Sequence, residues 1–303
     1  MLHTRMRWLI VAVALVATLA TTLLARPALR STRAASGPPP PYLALGDSVA
    51  FGYSPQVDPS DPHNFSGYPT PAARALKESL TNASCPGETS SHFIDLTGSD
   101  HGCGAFRANY PLHVAYSGTQ LAFADSFLTT HPTTQLVSIN IGANDLFVLT
   151  DFCATQPNPS LCISNGLPGV LTTLAANLNI IYYHIRALDG YHNQLVALTY
   201  YSLNYSPANS TNNSIIMALN NVVAQVTLAA GGKVADGYGA FAAIATAAFG
   251  FDSCAARLLI EVSSSPLTCN IHPSYPGDNG LESHANTGRD VLGQAIVNAV
   301  RAG

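Results

Sequence analysis

The chain has 303 residues, 47% hydrophobic and 10% charged, with 13 Lys and Arg against 17 Asp and Glu. Five arginines (Arg5, Arg7, Arg26, Arg30 and Arg33) and no acid precede Tyr42, so the remainder carries eight basic against seventeen acidic residues, a net charge of −9. That balance speaks against nucleic acid or an anionic lipid surface as a partner, because both demand clustered basic side chains.

In chain order, Arg5 and Arg7 precede an uncharged apolar run from Trp8 to Ala25. This is the layout of a secretory signal, and residues 1–36 are expected to be a signal peptide cut near Ala25 or near Ala34-Ala35-Ser36. The run also reaches the length of about 18 residues at which a helix begins to span a bilayer, so an uncleaved N-terminal anchor is the alternative. Gly37 and the four prolines after it, residues 37–41, read as a stiff spacer. The expected product is secreted.

Residues 42–303 show no internal linker or repeat and are expected to form one domain. Apolar runs at 42–45, 92–96, 136–141, 194–200 and 233–236 read as strands. Helical patterns fill the intervals, at 70–80, 120–130, 214–230 and 290–301. The clearest places Leu171, Leu174, Leu178, Ile181, Ile185 and Leu188 on one stripe. Strands alternating with helices through right-handed crossovers give a parallel sheet between two helical layers, a three-layer α/β/α fold. Ligands of such sheets bind beyond the carboxyl ends of the strands.

The first strand stops at Gly46-Asp47-Ser48, which sets a serine at that edge. A serine hydroxyl is a weak nucleophile until a base takes its proton and donors stabilise the oxyanion. The strand at 136–141 runs into Gly142-Ala143-Asn144-Asp145, so the Asn144 amide could be one donor, although the string is also ordinary turn chemistry. Cys85-Pro86-Gly87-Glu88-Thr89 offers the Gly87 N–H as a second donor, or only a pinned turn.

Six cysteines fall in sequential pairs, Cys85 with Cys103, Cys153 with Cys162 and Cys254 with Cys269, which in an exported chain reads as three local disulfides. No Cys-x-x-Cys occurs and the ten histidines are scattered, so no metal is expected. Gly-x-Ser-x-Gly and Ser-x-x-Lys are also missing, which removes the α/β-hydrolase elbow and the β-lactamase pattern.

Together and in this order, Gly46-Asp47-Ser48, Gly87, Gly142-x-Asn144-Asp145 and a late His-Pro resemble the four blocks of the SGNH/GDSL hydrolase family, over essentially all of the chain from Tyr42. The longer strings around these blocks look most like its secreted bacterial lipase and esterase branch. The resemblance implies a flavodoxin-like sheet of five parallel strands and a carboxylic ester hydrolase without cofactor. It also implies Ser48 as nucleophile, an oxyanion hole from the Ser48 N–H, the Gly87 N–H and the Asn144 side chain, and structural roles for Asp47 and Asp145.

The histidine departs from the family pattern of Asp-x-x-His-Pro or Asp-x-His followed by a glycine that opens the last helix. His272 has Pro273 and Gly277 at the expected places, but Cys269 and Asn270 stand where an acid belongs. His284 has Glu282 two residues before it and leads into the terminal helix, but its proline is missing and its glycine comes one residue early. His272 is the first choice, because a Cys254–Cys269 bridge would anchor its loop; His284 is the alternative. With His272 a backbone carbonyl would orient the ring; with His284, Glu282 or Asp278 would complete a triad.

The expected substrate is a small-molecule or lipid ester, with loops 52–69, 151–168 and 204–213 shaping the acyl pocket. An acetylesterase acting on polysaccharide and a catalytically dead secreted binding protein are the alternatives. The expected assembly is a monomer.

Overall fold

The structure, a computed structural model, describes residues 37–277 and 287–302. The expected signal or anchor at 1–36 therefore lies outside the described residues, as do Asp278, Glu282 and His284.

Five parallel strands, β1 (Pro41–Gly46), β2 (Ser79–Asn82), β3 (Leu136–Asn140), β4 (Gln194–Leu198) and β5 (Lys233–Ala235), lie in the order β2-β1-β3-β4-β5. β3 is buried along its whole length and β1 from Tyr42 onward, as strands covered on both faces must be. Their register sets Tyr42 opposite Leu136 and Gly46 opposite Asn140, so both strands end level with each other. The connections leave in opposite directions from β1 and β3, the switch point at which an open parallel sheet forms a crevice.

Ten helices are described: α1 (Ser48–Phe51), α2 (Pro69–Leu76), α3 (Ser90–Ile94), α4 (Cys103–Asn109), α5 (Gln120–Thr130), α6 (Ala143–Ala154), α7 (Pro159–Tyr183), α8 (Ser210–Ala229), α9 (Gly237–Ala248) and α10 (Gly288–Arg301). α2, α9 and α10 pack together on one side of the sheet, and α3, α5, α7 and α8 on the other. Leu174, Leu178, Ile181 and Ile185 are all fully buried in this second layer, as their spacing predicts. Leu188 leaves the stripe and is 58% exposed. The cause is a π turn at His184–Leu188, whose extra residue rotates the helix surface.

Four expectations need correction. Residues 92–96 are not a strand: the Thr89 side chain accepts the His92 N–H (3.1 Å) and caps α3, which takes 92–94, and 95–96 follow its end. The edge strand is β2, inside and beyond what reads as a helix over 70–80, since α2 ends at Lys77 in the left-handed region (φ 61°). Pro41 is not spacer but the first residue of β1, a place where a strand tolerates proline. Finally, an unanticipated antiparallel hairpin, β6 (Leu259–Ser264) and β7 (Leu267–Pro273), stands apart from the five-stranded sheet.

The three disulfides join Cys85 to Cys103, Cys153 to Cys162 and Cys254 to Cys269, with Cα atoms 5.5, 5.5 and 5.7 Å apart.

Candidate active site

Ser48 is the first residue of α1, half-buried at the carboxyl end of β1. The turn that delivers it needs glycine at position 46, where φ is +129° and a Cβ would lie 2.1 Å from the Asn140 carbonyl oxygen. Gln120 clasps the same residue: its Oε1 accepts the Gly46 N–H (2.5 Å) and its Nε2 donates to the Gly46 carbonyl (3.1 Å). Asp47 accepts the Val49 N–H (2.9 Å) and the Tyr200 hydroxyl, and burial pushes its carboxyl up to about 7. Asp145 likewise accepts from the Ser90 N–H (2.9 Å) and hydroxyl (2.5 Å), and burial raises its carboxyl too. Both acids therefore hold turns together.

His272 Nε2 lies 2.9 Å from Ser48 Oγ. The residue stands on strand β7 rather than in a loop, and three contacts hold the strand there. Cys254 is bonded to Cys269, the Tyr201 hydroxyl donates to the Ile271 carbonyl (2.6 Å), and the Tyr53 ring meets the imidazole edge-on at 5.1 Å. The ring's other nitrogen faces the Asn270 side chain, where a backbone carbonyl was expected. The chemistry of that contact fixes the tautomer. Asn270 Oδ1 accepts the His272 backbone N–H (3.0 Å), so the atom must be the amide oxygen. Nδ1, 2.5 Å from the same oxygen, must then donate to it. In the neutral ring this leaves the Nε2 lone pair toward the serine hydroxyl, the form a general base needs. His272 is 9% exposed, and burial holds the pKa of its imidazole down to about 4.

Asn144, in the first turn of α6, is buried, and its Nδ2 donates to the Glu88 carbonyl (2.9 Å). An amide nitrogen has two hydrogens, so one remains for a ligand. Gly87 adopts φ +83° in the turn before α3, and Ser48, Gly87 and Asn144 line one cleft together with His272.

Two cavities meet at Ser48 and His272. The narrower, about 180 Å³, is walled by Leu146, Phe147, Leu203, Ile216, Leu219 and Ile271. The wider, about 380 Å³, carries polar groups at His101 and Asp151 beside Tyr53 and Phe106. The loops expected to form an acyl pocket do not line the narrower cavity, because much of 151–168 is helical; only Tyr53 and Asp151 from them reach the wider one. Sequence reasoning missed Gln120, Asn270's side-chain role and His101. Asn270 alone left a signal, as a polar residue two before the histidine.

A model of the GDSL-like lipase/acylhydrolase family matches residues 44–278. No curated protein matches the chain. Among solved structures, a phospholipase A1 from Streptomyces albidoflavus NA297 is 20% identical, with 80% of this chain and 96% of that chain covered at a TM-score of 0.50. An extracellular lipase from Streptomyces rimosus is 21% identical, covering 84% and 99% at 0.50. The acetylxylan esterase Axe2 from Geobacillus stearothermophilus is 14% identical, covering 87% and 95% at 0.51. At these identities the likeness is one of fold.

Proposed function

Because the chain belongs to the GDSL-like lipase/acylhydrolase family, and so to the carboxylic ester hydrolases, we propose that it is a secreted lipase or esterase working through an acyl-enzyme on Ser48. The observation that carries the reading is the 2.9 Å contact between His272 Nε2 and Ser48 Oγ, with Nδ1 tied to Asn270.

His272 takes the hydroxyl proton as Ser48 Oγ attacks the ester carbonyl. The oxyanion rests on the Ser48 N–H, the Gly87 N–H and the free Asn144 N–H. Collapse breaks the bond to the alcohol, which leaves with the proton from His272. Water repeats the sequence on the acyl-enzyme and releases the acid. Asn270 accepts from the ring throughout but brings no negative charge, so the imidazolium of the intermediate is balanced by the oxyanion alone.

The aliphatic wall of the 180 Å³ cavity favours a carboxylic ester with an apolar acyl chain over an acetylated polysaccharide, and the wider cavity, about 380 Å³, has room for the alcohol part. A dead binding protein would have no use for a histidine within reach of the serine. Three disulfides and the signal-like N-terminus support secretion, and the compact unit formed by Pro39–Gly303 supports one hydrolase domain from Tyr42 onward.

The test is hydrolysis of p-nitrophenyl esters from acetate to palmitate by wild type, Ser48→Ala, His272→Ala and His284→Ala. Ser48→Ala and His272→Ala should each lose more than about a thousandfold in kcat, and His284→Ala should keep it. Activity surviving in Ser48→Ala would end the mechanism. Loss in His284→Ala with retention in His272→Ala would move the base, and a maximum at acetate would favour the acetylesterase.

A further inference from the structure

Asn144 has a partner that the catalytic scheme above leaves unused. Its Nδ2 faces the Glu88 carbonyl at 2.9 Å, and a carbonyl can only accept, so the amide's orientation is set and its Oδ1 points the other way. There, 3.2 Å off, is His101 Nδ1. The far side of the ring, Nε2, lies 3.1 Å from Asp151 Oδ2 on α6, and the Phe147 ring packs 5.5 Å away. The backbone of the same residue braces the other loop donor. The His101 N–H donates to the Gly87 carbonyl (3.2 Å), and a Cβ on Gly87 would come within 2.6 Å of the His101 carbonyl oxygen.

Resting on the reading of Asn144 as an oxyanion donor, we propose that His101 is a positioning residue of the oxyanion hole. Its Nδ1–H holds the Asn144 amide in the orientation that leaves one N–H for the oxyanion, while its backbone holds the Gly87 turn. Without that donor the amide oxygen loses its only side-chain partner among the described residues, and the amide, held by the Glu88 carbonyl alone, can turn about that one bond. Its remaining N–H then points away from the oxyanion part of the time, and the developing negative charge is stabilised less. Asp151 does not set the tautomer: its side chain is 74% exposed and can turn to water, whereas Asn144 Oδ1 belongs to a buried residue and can only accept, which places the ring proton on Nδ1.

A histidine that merely fills the loop closed by Cys85–Cys103 would behave differently, and a double-mutant cycle separates the two roles. Wild type, His101→Leu, His101→Asn, Asn144→Ala and the double variant His101→Leu/Asn144→Ala are assayed on p-nitrophenyl butyrate, with melting temperatures measured in parallel. His101→Leu should lower kcat by about tenfold, the rate equivalent of one net hydrogen bond, with KM within about twofold. His101→Asn, which returns an N–H donor near the Nδ1 position, should recover most of that loss. In the Asn144→Ala background, His101→Leu should cost less than about twofold, because nothing remains for the ring to orient. Losses that multiply in the double variant, or wild-type kcat in His101→Leu, overturn the proposal. So does a raised KM at unchanged kcat, which would make the ring part of the substrate surface. Should His101→Leu fail to fold, His101→Ala replaces it in the same cycle. Wild-type kcat in Asn144→Ala would overturn the oxyanion reading itself, and this inference with it.

Discussion

Asn270→Asp changes one atom type at the position where a carboxylate would support the imidazolium. Asn270 Oδ1 is 2.5 Å from His272 Nδ1, which sets the centres of a carboxylate and an imidazolium about 4 Å apart. At an effective dielectric constant of about 20 that pair gains about 4 kcal/mol, the equivalent of about three pH units. Desolvating the new carboxylate takes back part, so a rise of about two is expected, within the span measured for opposite charges in contact. In wild type the ring, held down to about 4 by burial, is the neutral base at any pH above that. Its kcat/KM should therefore be flat from about pH 8 to about pH 5 and fall as protonation removes the base. In Asn270→Asp the carboxylate favours the protonated ring, so the fall should begin near neutrality. The assay is kcat/KM on p-nitrophenyl butyrate from pH 3.5 to 9, with circular dichroism marking the range in which the fold survives. Asn270→Ala is the control: it removes the acceptor without adding charge, and should lower kcat while leaving the acid limb near wild type. An unmoved limb in Asn270→Asp would mean that His272 is not the base or that position 270 does not face it.

Ile216→Trp should narrow the aliphatic cavity, cutting kcat/KM on the octanoate ester by about tenfold or more against a small change on acetate; equal losses would show that the cavity does not take the acyl chain. Gly46→Ala should lower stability by about 3 kcal/mol or more in urea unfolding, since its Cβ would sit 2.1 Å from a backbone oxygen at φ +129°; an unshifted midpoint refutes the close approach. Replacing Cys254 and Cys269 together by alanine should cost about 3 kcal/mol for a loop of 15 residues and also lower kcat, because β7 carries the base. The Cys153/Cys162 pair, remote from β7 in the chain, should affect stability without a comparable loss of kcat, and equal kcat losses would refute the anchoring role.

What the sequence reveals is what is written locally. β1 is an unbroken apolar run cut by Gly-Asp-Ser, β3 is another cut by Gly-Ala-Asn-Asp, and each end carries a site residue. β2 is illegible because an edge strand of four residues, Ser-Leu-Thr-Asn, needs no apolar face. Residues 92–96 look apolar enough for a strand, yet the cap supplied by Thr89 decides for helix. The hairpin alternates weakly and its outer residues Val262 and Leu267 are exposed, so neither periodicity nor burial announces it. His101 could not be found at all by reading along the chain: Asn144 and Asp151 lie 43 and 50 residues away. The contact between His272 and Ser48 spans 224 residues, and only the family pattern hinted at it.

Ser48 and Asn144 grow from central strands of the five-stranded sheet, whereas His272 rides on a two-stranded appendage that shares no ladder with it. Parts of a protein that share few backbone bonds open at different free energies, the periphery before the centre. The serine and its base thus meet through side chains and a disulfide rather than through a shared ladder, while Leu258 and Leu259 at the foot of the hairpin are buried in the main core. Warming should part the pair before the sheet melts; activity lost only together with the circular dichroism signal would refute that.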